Sequence, residues 1–99
     1  MSETLEQLYA AHVERPFPPR LRSVDVADVW FVLLDADIAA CAQVVLRGGG
    51  LDSKRAAVLA RHRADLELVL PLLTDSREVA YAIGLQALAV RCADPSRSL

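Results

Sequence analysis

The chain has 99 residues, 54% of them apolar and 5% aromatic, with 16 Ala, 16 Leu and no Asn. Its mean hydropathy of +0.27 and net charge of −2 exclude a solvated disordered chain and a basic field able to hold a phosphate backbone. The length predicts a single helical domain over residues 1–99, and the surplus of aliphatic residues on so small a body is the feature to explain.

The two cysteines, Cys41 and Cys92, are too sparse for a disulfide scaffold and have no CxxC spacing, so reduced, buried thiols are expected. The start carries Glu3 and Glu6 in place of the basic and apolar regions of a signal peptide, which points to a cytoplasmic setting. Residues 26–46 are almost wholly apolar, but Asp28, Asp35 and Asp37 interrupt them. Each such Asp costs about 2.5–3.5 kcal/mol at the centre of a spanning helix, so no membrane segment is expected.

In chain order, Ser2 is the expected cap of a short helix to about Glu14, with Leu5, Leu8, Tyr9, His12 and Val13 on one face. A Pro/Arg-rich connector over 15–24 follows, stiff and extended because proline fixes φ and disfavours helix before it. Its Pro16-x-x-Pro19, flanked by arginines, resembles a polyproline ligand for an SH3-type groove, but the pattern is short and common and the leading reading is a stiff connector. Ser23 or Asp25 opens a second helix, ended by Gly48-Gly49-Gly50. Asp52 or Ser53 caps a third to about Leu73, where Pro71 kinks it or tightens its last turn. Asp75 and Glu78 start a fourth in the manner of a capping box, and residues 94–99 form a C-terminal tail after it. The fold class is therefore all-α: a small bundle of four helices, one short and three long, with antiparallel neighbours.

A 100° wheel turns these segments into faces. The second helix aligns Val26, Trp30, Leu33, Cys41 and Val44, with Asp37 in their midst; the third aligns Val58, Leu59, Leu66, Val69 and Leu73 around His62. The fourth aligns Val79, Ile83, Ala87 and Val90, with Gln86 at their edge. Across the short glycine turn Asp37 faces His62, and the next turn brings Gln86 into the same layer, which His12 joins if the connector returns the chain along the bundle. A histidine opposite a buried carboxylate makes a satisfied polar layer. The same His12, Asp37 and His62 are the candidate ligands for a divalent metal, and His62 oriented by Asp37 is the candidate general base. Neither Glu-x-x-His nor His-Glu-x-x-His occurs.

Residues 25–47 carry a net −3 and residues 52–64 a net +3, which registers the second helix on the third and brings Arg61 and Arg63 toward Asp35 and Asp37. In the fourth segment, Glu78-Val79-Ala80-x-x-Ile83-Gly84-Leu85-x-x-x-x-Val90-Arg91 resembles the helix-turn-helix of bacterial DNA-binding domains over about 15 residues. The resemblance implies a turn at Gly84 and a recognition helix beyond it. That helix, Gln86-Ala87-Leu88-Ala89-Val90-Arg91-Cys92, offers little to base edges or phosphates.

A second apolar stripe, Tyr81, Leu85, Leu88 and Cys92, lies opposite the first on the fourth helix, and a helix apolar on both faces needs cover on both. These four are the expected interface of a two-fold dimer. With no nucleophile elbow or phosphate loop present, the leading reading is a homodimeric interaction or accessory module without chemistry of its own. The alternatives are a DNA-binding regulator using residues 78–91 and a metal-binding or hydrolytic bundle; neither a cofactor nor nucleic acid belongs to the leading reading, whereas a protein partner does.

Overall fold

Thr4 opens the first helix: its hydroxyl accepts the Gln7 amide while the Gln7 side chain accepts the Thr4 amide, a reciprocal cap on α1, Leu5–Glu14. The computed structural model describes residues 3–93, so the expected Ser2 cap and the 94–99 tail lie outside the described residues. The connector is extended through Arg15 and Pro18, then tightens into a 3-10 turn, Pro19–Arg22, which buries Leu21 completely. It is thus not extended to residue 24.

The second helix also starts late. Val26 and Val29 exchange both backbone hydrogen bonds, at 3.1 and 2.9 Å, around Ala27 and Asp28, whose φ values are +49° and +64°. This left-handed turn tucks Val29 into the core, so α2 runs Phe31–Leu46 and opens at neither Ser23 nor Asp25. Burial of Leu21 and Val29 outweighs two local capping signals, each worth about 1 kcal/mol.

The glycine signals hold. Gly48 takes φ +87°, its amide bonds the Val45 carbonyl and that of Gly49 bonds the Val44 carbonyl, a Schellman ending for α2. Asp52 accepts the Arg55 amide at 2.8 Å and opens α3, Ser53–Val69. Pro71 tightens the end of α3 into a 3-10 turn, Leu70–Leu72. Asp75 then accepts the amides of Arg77 and Glu78, at 2.8 and 3.3 Å, to start α4, Ser76–Ala93.

The result is an all-α bundle, one short helix and three long, with no strand among the described residues. α4 packs against α1, α2 and α3 and is the helix around which the others assemble. It runs unbroken through Gly84, so the turn that a helix-turn-helix needs does not form there.

Two faces differ from the wheel. The core face of α2 is Phe31, Leu34, Ile38, Cys41 and Ala42, while Trp30 and Leu33 are half exposed. The core face of α4 is Tyr81, Ala82, Leu85, Leu88, Ala89 and Cys92, all nearly inaccessible, while Ile83 and Val90 are 52% and 42% exposed. Both helices are apolar round most of their circumference, so periodicity alone does not choose a side. α3 has one apolar stripe among charges, and Leu59, His62, Leu66 and Val69 are buried as its wheel requires.

Candidate functional site

Alternate residues on a helix point about 200° apart, so Asp35 and Asp37 leave α2 on opposite flanks. Each finds a histidine. Asp37 meets His62 of α3, with Oδ2 2.8 Å from Nε2, and 37 and 62 sum to the register of an antiparallel hairpin about the glycine turn. Asp35 meets His12 of α1, with Oδ1 3.0 Å from Nε2, and its other oxygen accepts a hydrogen bond from the Tyr81 hydroxyl of α4.

The expected single layer is therefore two. His12 belongs to the Asp35 site and not to the Asp37 site, and Gln86 makes no hydrogen bond with either histidine. The sequence holds a signal for this: with Asp37 turned to α3, Asp35 needs a partner elsewhere, and the chain has just two histidines. Nor do Arg61 and Arg63 form ion pairs with Asp35 or Asp37; His62 is the residue that registers α3 on α2.

The Asp35 site is a structural clamp. Burial pushes the Asp35 carboxyl up, but the hydrogen bonds from His12 and Tyr81 outweigh it and hold the group below the usual carboxylate range. Burial, then the bond to Asp35, drives the Tyr81 hydroxyl far above its ordinary value, so it stays a donor. Because a carboxylate can only accept, each histidine presents Nε2–H to its Asp. The Nδ1 atoms of His12 and His62 are buried without a hydrogen-bond partner; that of His62 lies 3.9 Å from Asp65 Oδ2.

The Asp37 site borders solvent. His62, Asp37 and Asp65 line a shallow cleft of about 230 Å³ with Trp30, Leu33 and Arg61. An oriented histidine in a cleft is an incomplete base: Asp37 and Asp65 flank it, but no Ser, Thr, Cys or Lys nucleophile lines the cleft with it. Nor do His12, Asp37 and His62 converge, and among the described residues no group of three or more His, Cys, Asp or Glu side chains can hold a metal ion.

The expected interface residues Tyr81, Leu85, Leu88 and Cys92 lie inside the protomer, where Tyr81 packs on Phe17 at 5.1 Å and on Phe31 at 6.1 Å. They cannot meet a partner. Cys41 and Cys92 are free and buried, and burial raises both thiols, that of Cys92 to about 12, which leaves them unreactive. No described helix is long and apolar enough to cross a membrane.

Sequence reasoning missed a buried acid. Glu78 is 4% exposed and receives Arg20 as a fork, Nε to Oε2 at 2.8 Å and Nη2 to Oε1 at 2.6 Å, which ties the connector to α4. Its place in a capping-box pattern disguised it; an acid on the Tyr81 face of α4 was the signal. Comparison with family models, with curated proteins and with solved structures returns no match for the chain.

Proposed function

We propose that the protein is a homodimeric interaction module whose two-fold contact is the outward face of α4. The observation that carries this reading is the line Ala80, Ile83, Ala87 and Val90, whose 3-4-3 spacing is that of a left-handed helix-pair seam. Ile83 and Val90 are both exposed large apolar residues. The line is also complementary to itself. In an antiparallel pair centred on residue 85, Ile83 meets the partner's Ala87 and Ala80 meets the partner's Val90, so every layer sets a small residue against a branched one.

Each protomer completes its own core, which makes the dimer an association of folded units. One helix pair lies near the small end of specific interfaces, about 1,200 Å², so a reversible dimer with micromolar dissociation is expected. The reading includes a cytoplasmic setting, which the two unbonded thiols suit. It assigns no catalytic or cofactor role; a further protein partner would dock on the paired bundle.

Sedimentation velocity across a concentration series tests the contact. The parent chain should move from monomer to dimer, and Ile83→Glu should remain monomeric with unchanged helicity, since the side chain is outside the core. A parent chain that stays monomeric at about 1 mM, where even weak association of about −4 kcal/mol is half complete, refutes the reading.

A further inference from the structure

We infer that the cleft between residues 15–19 and the first turns of α4 binds a carboxylate carried on a flat apolar body, with Arg15 gripping the carboxylate. The cleft measures about 840 Å³, the size of a small-molecule site. Its outer wall is Pro16, Phe17 and Pro18. Prolines restrict that wall before any ligand arrives, and Phe17 is fixed between the Tyr81 ring at 5.1 Å and the Arg22 guanidinium at 5.0 Å. An apolar surface held rigid in this way favours an apolar guest.

The charges define the rest of the guest. Arg15, Arg20 and Arg77 line the cleft with Asp75 and Glu78, a net of +1. Arg20 is satisfied by Glu78, and Asp75 is engaged by two backbone amides of α4. Arg15 has no acidic partner among the described residues, although its side chain is half-buried. A guanidinium without a counter-ion is free to take one, and its planar fork matches a carboxylate. The surplus of one charge matches a monoanion better than a phosphate dianion.

Gly84 supplies the seat. A Cβ at that position would overlap Arg15 Nη1, so the guanidinium lies directly on the glycine and would have to move aside for any side chain. A helical glycine otherwise weakens α4, and this placement gives it a purpose that a turn does not.

Isothermal titration of the full chain with 2-naphthoate tests the assignment, with 2-naphthamide and inorganic phosphate as companion probes. Naphthoate should bind once per chain, and the uncharged amide about tenfold more weakly or worse. Arg15→Ala should weaken naphthoate by about tenfold or more, with Arg15→Lys in between, because a point charge replaces the fork. Gly84→Ala should cause the same loss by evicting the guanidinium while the melting temperature holds or rises, which separates binding from folding. Absence of saturable heat at millimolar naphthoate, equal binding of the amide, or indifference to both Arg15→Ala and Gly84→Ala overturns the proposal. Phosphate binding as tight as naphthoate overturns it too, in favour of a bare anion patch.

Discussion

Removing one oxygen tests whether the Asp35 clamp stabilises the bundle. Tyr81→Phe keeps the ring, and with it the packing on Phe17, Phe31 and His12, but deletes the donor to Asp35 Oδ2. Asp35 then keeps one partner, His12, in a site where its side chain is 20% exposed. A hydrogen bond to a charged acceptor contributes about 1.5–3 kcal/mol, and removing it strands part of a buried charge. For a domain of this length that corresponds to a fall of about 8–15 °C in Tm. The assay is urea and thermal unfolding of Tyr81→Phe, Asp35→Asn and the double variant. The cycle should return a coupling of about 1–2 kcal/mol, since the two groups share one network. Tyr9→Phe serves as the control: it removes an exposed hydroxyl that accepts from Gln43 at 2.8 Å, and should change stability by less than about 0.5 kcal/mol. If Tyr81→Phe is as mild as Tyr9→Phe, the Tyr81–Asp35 bond is not a stabilising element and the clamp argument fails.

Two further outcomes follow from the same geometry. The Asp35 carboxyl is held below its ordinary value in the folded chain, so its contribution is full above the unfolded pKa, near 3.9, and is lost as pH falls below that through the folded value. Asp35→Asn should therefore lower stability at neutral pH and flatten its decline below about pH 4, as followed by circular dichroism; a parallel acid profile would remove Asp35 from the account. At the 26–29 turn, Ala27 holds φ +49° at the expense that a Cβ imposes there. Ala27→Gly should raise stability by about 0.5–1 kcal/mol in urea unfolding despite adding chain entropy to the unfolded state, and destabilisation would mean that the turn is not strained.

How much of this was legible differs from helix to helix, for a physical reason. The ends were readable where glycine or proline set them: Gly48 closes α2 in a left-handed conformation and Pro71 tightens the last turn of α3. The start of α2 was not, because Ser23 and Asp25 are good caps in isolation and only the burial of Leu21 and Val29 explains why the chain turns first. The Asp37–His62 pair was readable even though the face assigned to α2 was wrong. A short turn fixes the register of two antiparallel helices by counting, whichever side each presents. His12 and Asp35 are 23 positions apart, joined through a connector whose 3-10 turn and left-handed turn no local rule foretells.

The case of α4 shows what a wheel leaves undecided and what decides it. Its two stripes are about equally apolar, but they differ in size: one carries Tyr81, Leu85 and Leu88, the other alternates Ala80 and Ala87 with Ile83 and Val90. A helix that must touch three others at once fills the space between them with its larger side chains, and Glu78 and the Tyr81 hydroxyl find polar partners there in Arg20 and Asp35. The smaller stripe is left outside. Scattered exposed aliphatic residues call for no explanation. A line of them at seam spacing, in which alanines alternate with branched residues, does call for one, and the proposed dimer supplies it. The surplus of aliphatic residues in the composition thus resolves into a core that one protomer closes by itself and an exposed line on α4 that the proposed dimer would cover.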